Sequence, residues 1–233
     1  LAGITVTYLP QLYEAETYCT ETPLRFANNR FPEPKGLEKL IRSISKTGGI
    51  EYSAQQEQAI RAAASSGLLL ITGGPGTGKT TILNGILELL GQMQLKCLLA
   101  APTGRAAKRL TEVTGEDAST IHRLLEAGID QNTGKMVFVR DEDNPLKCDA
   151  VIVDEMSMVD VQLLHALLQA IPHGKRLILV GDPDQLPPVG PGFPFSDMLR
   201  SGQLPSVRLT DIFRQAQESL IVMNAHRVNR GEM

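Results

Sequence analysis

From residue 68 onward, short apolar runs alternate with stretches in which apolar residues recur every three or four positions. The runs are "LLLIT" (68–72), "KCLLAA" (96–101), "AVIVD" (150–154), "RLILV" (176–180) and a weaker "SVRLT" (206–210). Helical periodicity fills most of the gaps, over Lys79 to Leu90, Gly104 to Thr114, Met158 to Ile171 and Ala216 to Asn229. A strand that is apolar at nearly every position has no face to give to water. Such strands alternating with helices predict an α/β fold whose mostly parallel sheet is covered by helices on both sides.

The first 50 residues or so have a different character. Pro10 opens a helical pattern with Leu12, Ala15, Glu16 and Cys19 at helical spacing. Leu37, Leu40, Ile41 and Ile44 mark a second helix that Gly48 and Gly49 end, and the Pro-rich "RFPEPKG" connects the two. The expected division is a small helical lead-in over 1–50, the end of a preceding domain, and a main unit over 51–233. Inside that unit an insertion at about 129–147 interrupts the alternation. Its "NTG" turn beside "KMVFV" suggests a β-hairpin or a mobile loop. The chain starts at Leu1 without Met and ends at Met233, just after a helical pattern closes on Gly231, as expected of an excerpt from a longer polypeptide.

Composition narrows the class. With 233 residues and 42% hydrophobic content, the chain can build a substantial core. No apolar run approaches the roughly 18 residues of a membrane span, and the start lacks the basic-then-apolar order of a signal peptide, so the expected location is the cytoplasm. Cys19, Cys97 and Cys148 are odd in number, far apart and without metal-ligand spacing, which predicts free thiols, no disulfide and no zinc. The net charge of −3 argues against indiscriminate adhesion to nucleic acid, so any such contact must rest on local placement.

The chemistry begins at "GGPGTGKT", Gly73 to Thr80, which fits G-x-x-x-x-G-K-[ST] between an apolar strand and a helix. Gly74, Pro75, Gly76, Thr77, Gly78, Lys79, Thr80 and Thr81 are therefore the expected nucleotide-binding residues. The glycines let backbone N–H groups wrap phosphate, Lys79 reaches the β- and γ-phosphates, and the Thr80 hydroxyl can hold Mg²⁺. Seventy-five residues after Lys79, the "AVIVDE" strand ends on Asp154 and Glu155. The first acid is placed to hold magnesium and the second to orient and deprotonate water, which favours hydrolysis over transfer to a metabolite. Upstream, Gln56 carries a carboxamide that can both donate to and accept from adenine, although the glutamines of "QQEQ" could equally begin a solvated helix. In "GDPDQLPPVG", Asp182 follows a strand, Gln185 comes three residues later, and Pro187 with Pro188 stiffens the backbone.

Arg105, Lys108 and Arg109 lie at i, i+3 and i+4 and so share one helical face, which can hold a phosphate track or can be a solvated stripe partly paired with Glu112. His122 alone could be a capping or core histidine.

Taken together, Gln56, "GGPGTGKT", "APTGRAAKRL", "STIHRLL", "VIVDEMSM", "LVGDPDQLPPVGPG" and "LTDIFRQA" resemble the ordered motifs of superfamily 1 helicases, most closely the RecD-like helicases of the exodeoxyribonuclease V alpha family. The resemblance covers about Tyr52 to Met233. It implies a RecA-like P-loop NTPase fold, with ATP and Mg²⁺ as cofactors and single-stranded DNA as partner. It implies Gln56 as the adenine reader, Lys79 and Thr80 on phosphate and magnesium, and Asp154 and Glu155 as metal and catalytic acids. It further implies Gln185 as γ-phosphate sensor and Arg214 as arginine finger. The implied DNA contacts are Pro102, Thr103, Gly104, Thr120 and His122, with Arg105 and Lys108 beside them. The family implies 5′ to 3′ travel, a role in DNA recombination or repair, and partners among the subunits of nuclease–helicase complexes. Its members continue into a second RecA-like lobe that this sequence does not supply, so weak and poorly DNA-stimulated hydrolysis is expected of the chain by itself.

Two other classes fit less well. A GTPase would show N-K-x-D after a late strand, where "GDPDQ" stands instead, and a small-molecule kinase would lack the second acid and the Gln. A nucleotide-gated binding module with little turnover stays open as the alternative.

Overall fold

The computed structural model describes residues 7–211, together with Asn224, Arg227, Val228 and Gly231. Apart from those single positions, the helix expected over 216–229 lies outside the described residues, as does Arg214. The chain runs through α1 (Pro10–Asn28), α2 (Leu37–Gly48), α3 (Ala54–Ser65), β1 (Leu68–Gly73), α4 (Lys79–Gln92), β2 (Cys97–Ala101), α5 (Gly104–Thr114), β3 (Ala118–Thr120) and α6 (Ile121–Leu124). It continues through β4 (Ala127–Ile129), β5 (Met136–Phe138), β6 (Ala150–Val153), a 3₁₀ turn (Met156–Met158), α7 (Val161–Ala170), β7 (Arg176–Gly181), α8 (Pro194–Ser201) and β8 (Ser206–Leu209).

Six of these strands form one sheet in the order β3-β2-β6-β7-β1-β8, with every pairing parallel. All residues of β1, β6 and β7 are buried, which is why they carry no polar alternation. Successive side chains still point to opposite faces. Leu68, Leu70, Val151, Val153, Leu177 and Leu179 pack with α1, α7 and α8, whereas Leu69, Ile71, Ile152, Ile178 and Val180 pack with α2, α3, α4 and α5. Each such side chain contributes about 2 kcal/mol by leaving water, so the two faces together hold the sheet in a three-layer sandwich.

The lead-in helices enter both layers. Ala15, Cys19 and Phe26 of α1 join the α7 side, and the Cys19 thiol donates to the Val161 carbonyl at 3.6 Å. Leu37, Ile41 and Ile44 of α2 join the opposite side. Arg176 ties the start of β7 to this region: it is buried, stacks on Phe31 at 3.7 Å and donates to the Ala64 carbonyl at 3.0 Å.

Three local features depart from the sequence pattern. The helix expected from Met158 begins at Val161, because Asp160 caps it by accepting from the Leu163 N–H at 2.8 Å and the preceding Met156–Met158 is a 3₁₀ turn. The "AST" of β3 has no apolar run to announce it and exists through its ladder with β2. The eight-residue α8 follows the proline-rich loop, with Pro194 at its first turn. The insertion forms the hairpin: β4 and β5 pair antiparallel, and Asp130 Oδ1 accepts from the N–H groups of Asn132 and Thr133 in the turn. Among the described residues, no helix is long and apolar enough to cross a membrane.

Candidate active site

Because the six strands run the same way, their carboxyl ends share one edge, the place where open α/β sheets bind ligands. The phosphate loop leaves β1 there, Asp154 and Glu155 follow β6, and Asp182 follows β7. Residues Gly74 to Thr81 line a cleft of about 970 Å³ with Asp154, Glu155, Asp182 and Gln185. Residues separated by more than a hundred positions thereby share one chamber.

The loop's geometry follows from its glycines. Gly76 and Gly78 have φ of 76° and 82°, left-handed values that a side chain would disfavour. Gly78 is the N-cap of α4, whose first-turn N–H groups lack helical acceptors and form an anion site at the helix's positive end. The Thr77 hydroxyl donates to the Gly74 carbonyl at 2.9 Å and closes the loop. Lys79 Nζ donates to the carbonyls of Gly73 and Gly74 at 2.5 and 3.0 Å, folding the lysine back onto its own loop. Burial pushes the Lys79 pKa down, while Asp182, Glu155 and Asp154 oppose that shift.

Burial likewise raises the Asp154 and Asp182 carboxyls above the usual range, with Lys79 opposing in both cases. Glu155 has φ of 55°, a left-handed value that costs a non-glycine residue on the order of 1 kcal/mol. That turn sends the chain into the 3₁₀ segment with Glu155 at the cleft. Gln185 bridges two groups there: its Nε2 donates to Glu155 Oε2 at 3.3 Å, and its Oε1 accepts from the Ser157 hydroxyl at 3.1 Å. Ser157 is fully buried. The Glu155 carboxylate, which can only accept, fixes which end of the carboxamide faces it, and the Ser157 hydroxyl holds the other end, a role that no spacing in "DEMSM" announced.

The loop bearing Gln185 is docked at its far end by a close contact. A Cβ added to Gly190 would lie 1.9 Å from Asp160 Oδ2 and 2.7 Å from its Cγ, and the Val161 N–H donates to the Pro191 carbonyl at 2.9 Å. Gly190→Ala must therefore displace the cap of α7. We expect it to destabilise the fold by about 1–3 kcal/mol, seen as a lower midpoint in thermal melting; an unchanged midpoint would rule out this packing.

Other expected site residues have different settings. Gln56 is 2% exposed, and its Oε1 accepts from the Ser53 N–H at 3.0 Å in a capping box that starts α3. Gly49, Ile50 and Glu51, from the segment before α3, line the cleft instead. The neighbouring Gln55 clamps Thr210 just after β8, accepting from its N–H at 2.8 Å and donating to its hydroxyl at 2.9 Å. The Ser53-to-Gln56 spacing is itself the sequence signature of a capping box, whereas the Gln55–Thr210 clamp joins residues far apart in the chain and has no local signal.

Pro102, Thr103 and Gly104 follow β2, and Thr120 ends the adjacent β3 in register with Ala101, so the two candidate DNA loops lie side by side. Both threonine hydroxyls cap helices, Thr103 accepting from Ala106 N–H and Thr120 from Arg123 N–H. His122 sits 5.9 Å from the Phe138 ring of the hairpin. The three cations of α5 are all exposed and differ in their neighbours: Lys108 lies 3.9 Å from Glu112, and Arg109 lines the cleft of the phosphate loop.

A family model described as an AAA domain matches residues 56–191. The ATP-dependent RecD2 DNA helicase of Deinococcus radiodurans is 42% identical over 237 residues, covering 95% of this chain and 32% of the relative. The RecBCD enzyme subunit RecD of Mycolicibacterium smegmatis is 39% identical over 182 residues, covering 68% of this chain and 32% of that protein. The chain thus spans about a third of the length of these relatives. Among solved structures, Bacteroides Pif1 bound to ssDNA superposes with a TM-score of 0.55 at 23% identity, over 79% of this chain and 47% of that one. Pif1 helicase from Candida albicans gives 0.54 at 25% identity, over 77% and 44%. The cleft assembles a phosphate loop, paired acids and a glutamine at one sheet edge, and the chain, similar to these RecD proteins over most of its length, belongs to the AAA domain family.

Proposed function

We propose that the protein is an ATP-dependent DNA helicase or translocase of the RecD type, with this chain supplying the first motor lobe. The observation that carries the reading is the Gln185 bridge between Glu155 and Ser157 inside the phosphate cleft. It puts a group able to sense phosphate in direct contact with the acid that would handle water.

In the proposed reaction Lys79 leaves the Gly73 and Gly74 carbonyls for the β- and γ-phosphate oxygens, and the free N–H groups of the phosphate loop and α4 hold the rest of the triphosphate. Glu155 accepts a proton from a water as its oxygen bonds to the γ-phosphorus; the bond from that phosphorus to the β–γ bridging oxygen breaks, releasing ADP and phosphate. Gln185 exchanges its bond to Glu155 for one to the γ-phosphate, so the loop from Asp182 to Gly190 registers the nucleotide's state. In the same scheme Gln56, whose Oε1 the Ser53 N–H holds, reads adenine through its Nε2, and Arg214 neutralises charge on the transferring group.

The Thr80 hydroxyl and the Asp154 carboxylate are hard oxygen donors lining the cleft, and the burial that raises the Asp154 pKa is a cost that a bound cation offsets. These two residues would hold Mg²⁺, which when bound supplies charge neutralisation on the β- and γ-phosphate oxygens. The side-by-side loops at Pro102–Gly104 and Thr120–His122, with Arg105 and Lys108, form the proposed track for single-stranded DNA. The family resemblance supports 5′ to 3′ movement, cytoplasmic work in recombination or repair, and association with nuclease–helicase subunits. The lead-in over 1–50 and the motor unit over 51–233 remain the proposed division.

Gln185→Ala tests the coupling. Its expected outcome is near-parental ATP affinity with loss of stimulation by single-stranded DNA, measured as phosphate release with and without DNA in the full-length protein. Unchanged stimulation would remove Gln185 from the mechanism. A chain that binds ATP without DNA-stimulated turnover in any full-length context would instead support the nucleotide-gated module.

A further inference from the structure

The cations at Arg105, Lys108 and Arg109 share a helical face in sequence, but they do not share surroundings. All three are exposed, but Lys108 lies along the helix beside Glu112. Arg109 lines the cleft that holds the phosphate loop, with Ala106, Leu110 and Val113 of the same helix forming the wall around it. Among the described residues, no carboxylate lies within ion-pair distance of its guanidinium.

The charge around it asks for an anion. Glu51, Asp154, Glu155 and Asp182 line the cleft, and Lys79 and Arg109 are the cations among the lining residues. Arg109 thus shares one cleft with Lys79 and the phosphate loop. A polyanionic triphosphate entering beside four carboxylates needs more than one cation, and a guanidinium presents a planar fork that matches two phosphate oxygens.

We propose that Arg109 is a phosphate-binding residue of the nucleotide site, reaching the triphosphate from α5, and that it is not part of the nucleic-acid track. The proposal rests on the nucleotide reading above and names a further residue for it. It also divides one helix between two ligands: residues at the start of α5 face the DNA loops, and Arg109, one turn on from Arg105, faces the nucleotide.

The test compares the parent with Arg109→Ala and Arg109→Lys in titrations with ATPγS, ADP and adenosine, and with a fluorescent single-stranded oligonucleotide in the absence of nucleotide. The expected result is ATPγS binding weakened by roughly tenfold or more in Arg109→Ala, in line with loss of a charge-assisted contact. ADP should be affected less and adenosine not at all, Arg109→Lys should lie between, and oligonucleotide binding should be unchanged. Equal losses for ATPγS and adenosine would mean a base contact and overturn the assignment. So would undiminished ATPγS binding, or a loss confined to the oligonucleotide. Lys79→Ala separates the two levels: if it too binds ATPγS like the parent, the nucleotide reading falls and takes the Arg109 assignment with it. If Lys79→Ala loses ATPγS while Arg109→Ala keeps it, the Arg109 assignment alone fails.

Discussion

Glu155→Gln is expected to slow ATP hydrolysis by about 10²–10⁴-fold, the usual contribution of a positioned general base, while ATP affinity stays close to the parent's. The substitution keeps the size of the side chain and an oxygen that can still accept from Gln185 Nε2, the bond seen at 3.3 Å. It removes the capacity to take a proton from water, together with one negative charge of the cleft. The left-handed backbone at residue 155 is unaffected, since neither residue is glycine and the strain is the same for both. Phosphate release under saturating ATP, paired with a nucleotide titration, checks it. Hydrolysis at the parental rate would show that Glu155 is not the base, and joint loss of affinity and rate would give it a binding role instead.

Lys79→Ala should act one step earlier. The ammonium is the cation that the phosphate loop itself supplies, and removing a charge-assisted contact of this kind weakens binding by about 10–100-fold. Without nucleotide the same ammonium rests on the Gly73 and Gly74 carbonyls in a site whose burial disfavours its charge. Its removal therefore relieves one desolvated charge and strands two carbonyl oxygens. These effects oppose each other, so the change in fold stability should be small beside the change in affinity. Thermal melting in the absence of ATP, followed by melting with saturating ATP, separates the two: the parent should gain stability from ATP and Lys79→Ala should not. An equal gain in both proteins would take Lys79 out of the phosphate site.

These variants also probe different parts of the Gln185 bridge. Glu155→Gln leaves the bridge in place and removes its chemistry, Gln185→Ala removes the bridge and leaves the acid, and Lys79→Ala removes the ligand that would break the bridge. Ser157 stands behind all of them as the hydroxyl that donates to the carboxamide oxygen.

The central strands β1, β6 and β7 and the helices α4 and α5 were legible because each carries its own signal. A strand buried on both faces must be apolar throughout, and an amphipathic helix must repeat every three to four residues. The phosphate loop was legible for the same reason, since glycine spacing, Lys79 and Thr80 work within one turn of chain. Elements held by their neighbours were not. The three residues of β3 depend on the ladder with β2, and the start of α7 depends on Asp160, whose capping bond outweighs the apolar periodicity running back to Met158. The hairpin was one of two readings of the insertion, and the paired strands with the Asp130 turn select it.

Arg109 illustrates the boundary best. Sequence alone determined that the chain folds as a parallel α/β sheet with a phosphate loop, paired acids and a downstream glutamine, because those properties reside in local periodicity and in residue types at short spacing. Sequence also placed Arg105, Lys108 and Arg109 on one helical face, as periodicity must. Only the tertiary structure decided what these cations meet, with Arg109 lining the cleft of the phosphate loop and Lys108 beside Glu112. It likewise decided that Ser157 reaches Gln185 and that Gln55 holds Thr210. The physical reason is common to all of these: helical and strand periods fix a side chain's direction about its own element, whereas what it meets there depends on how strands distant in sequence come to share one edge.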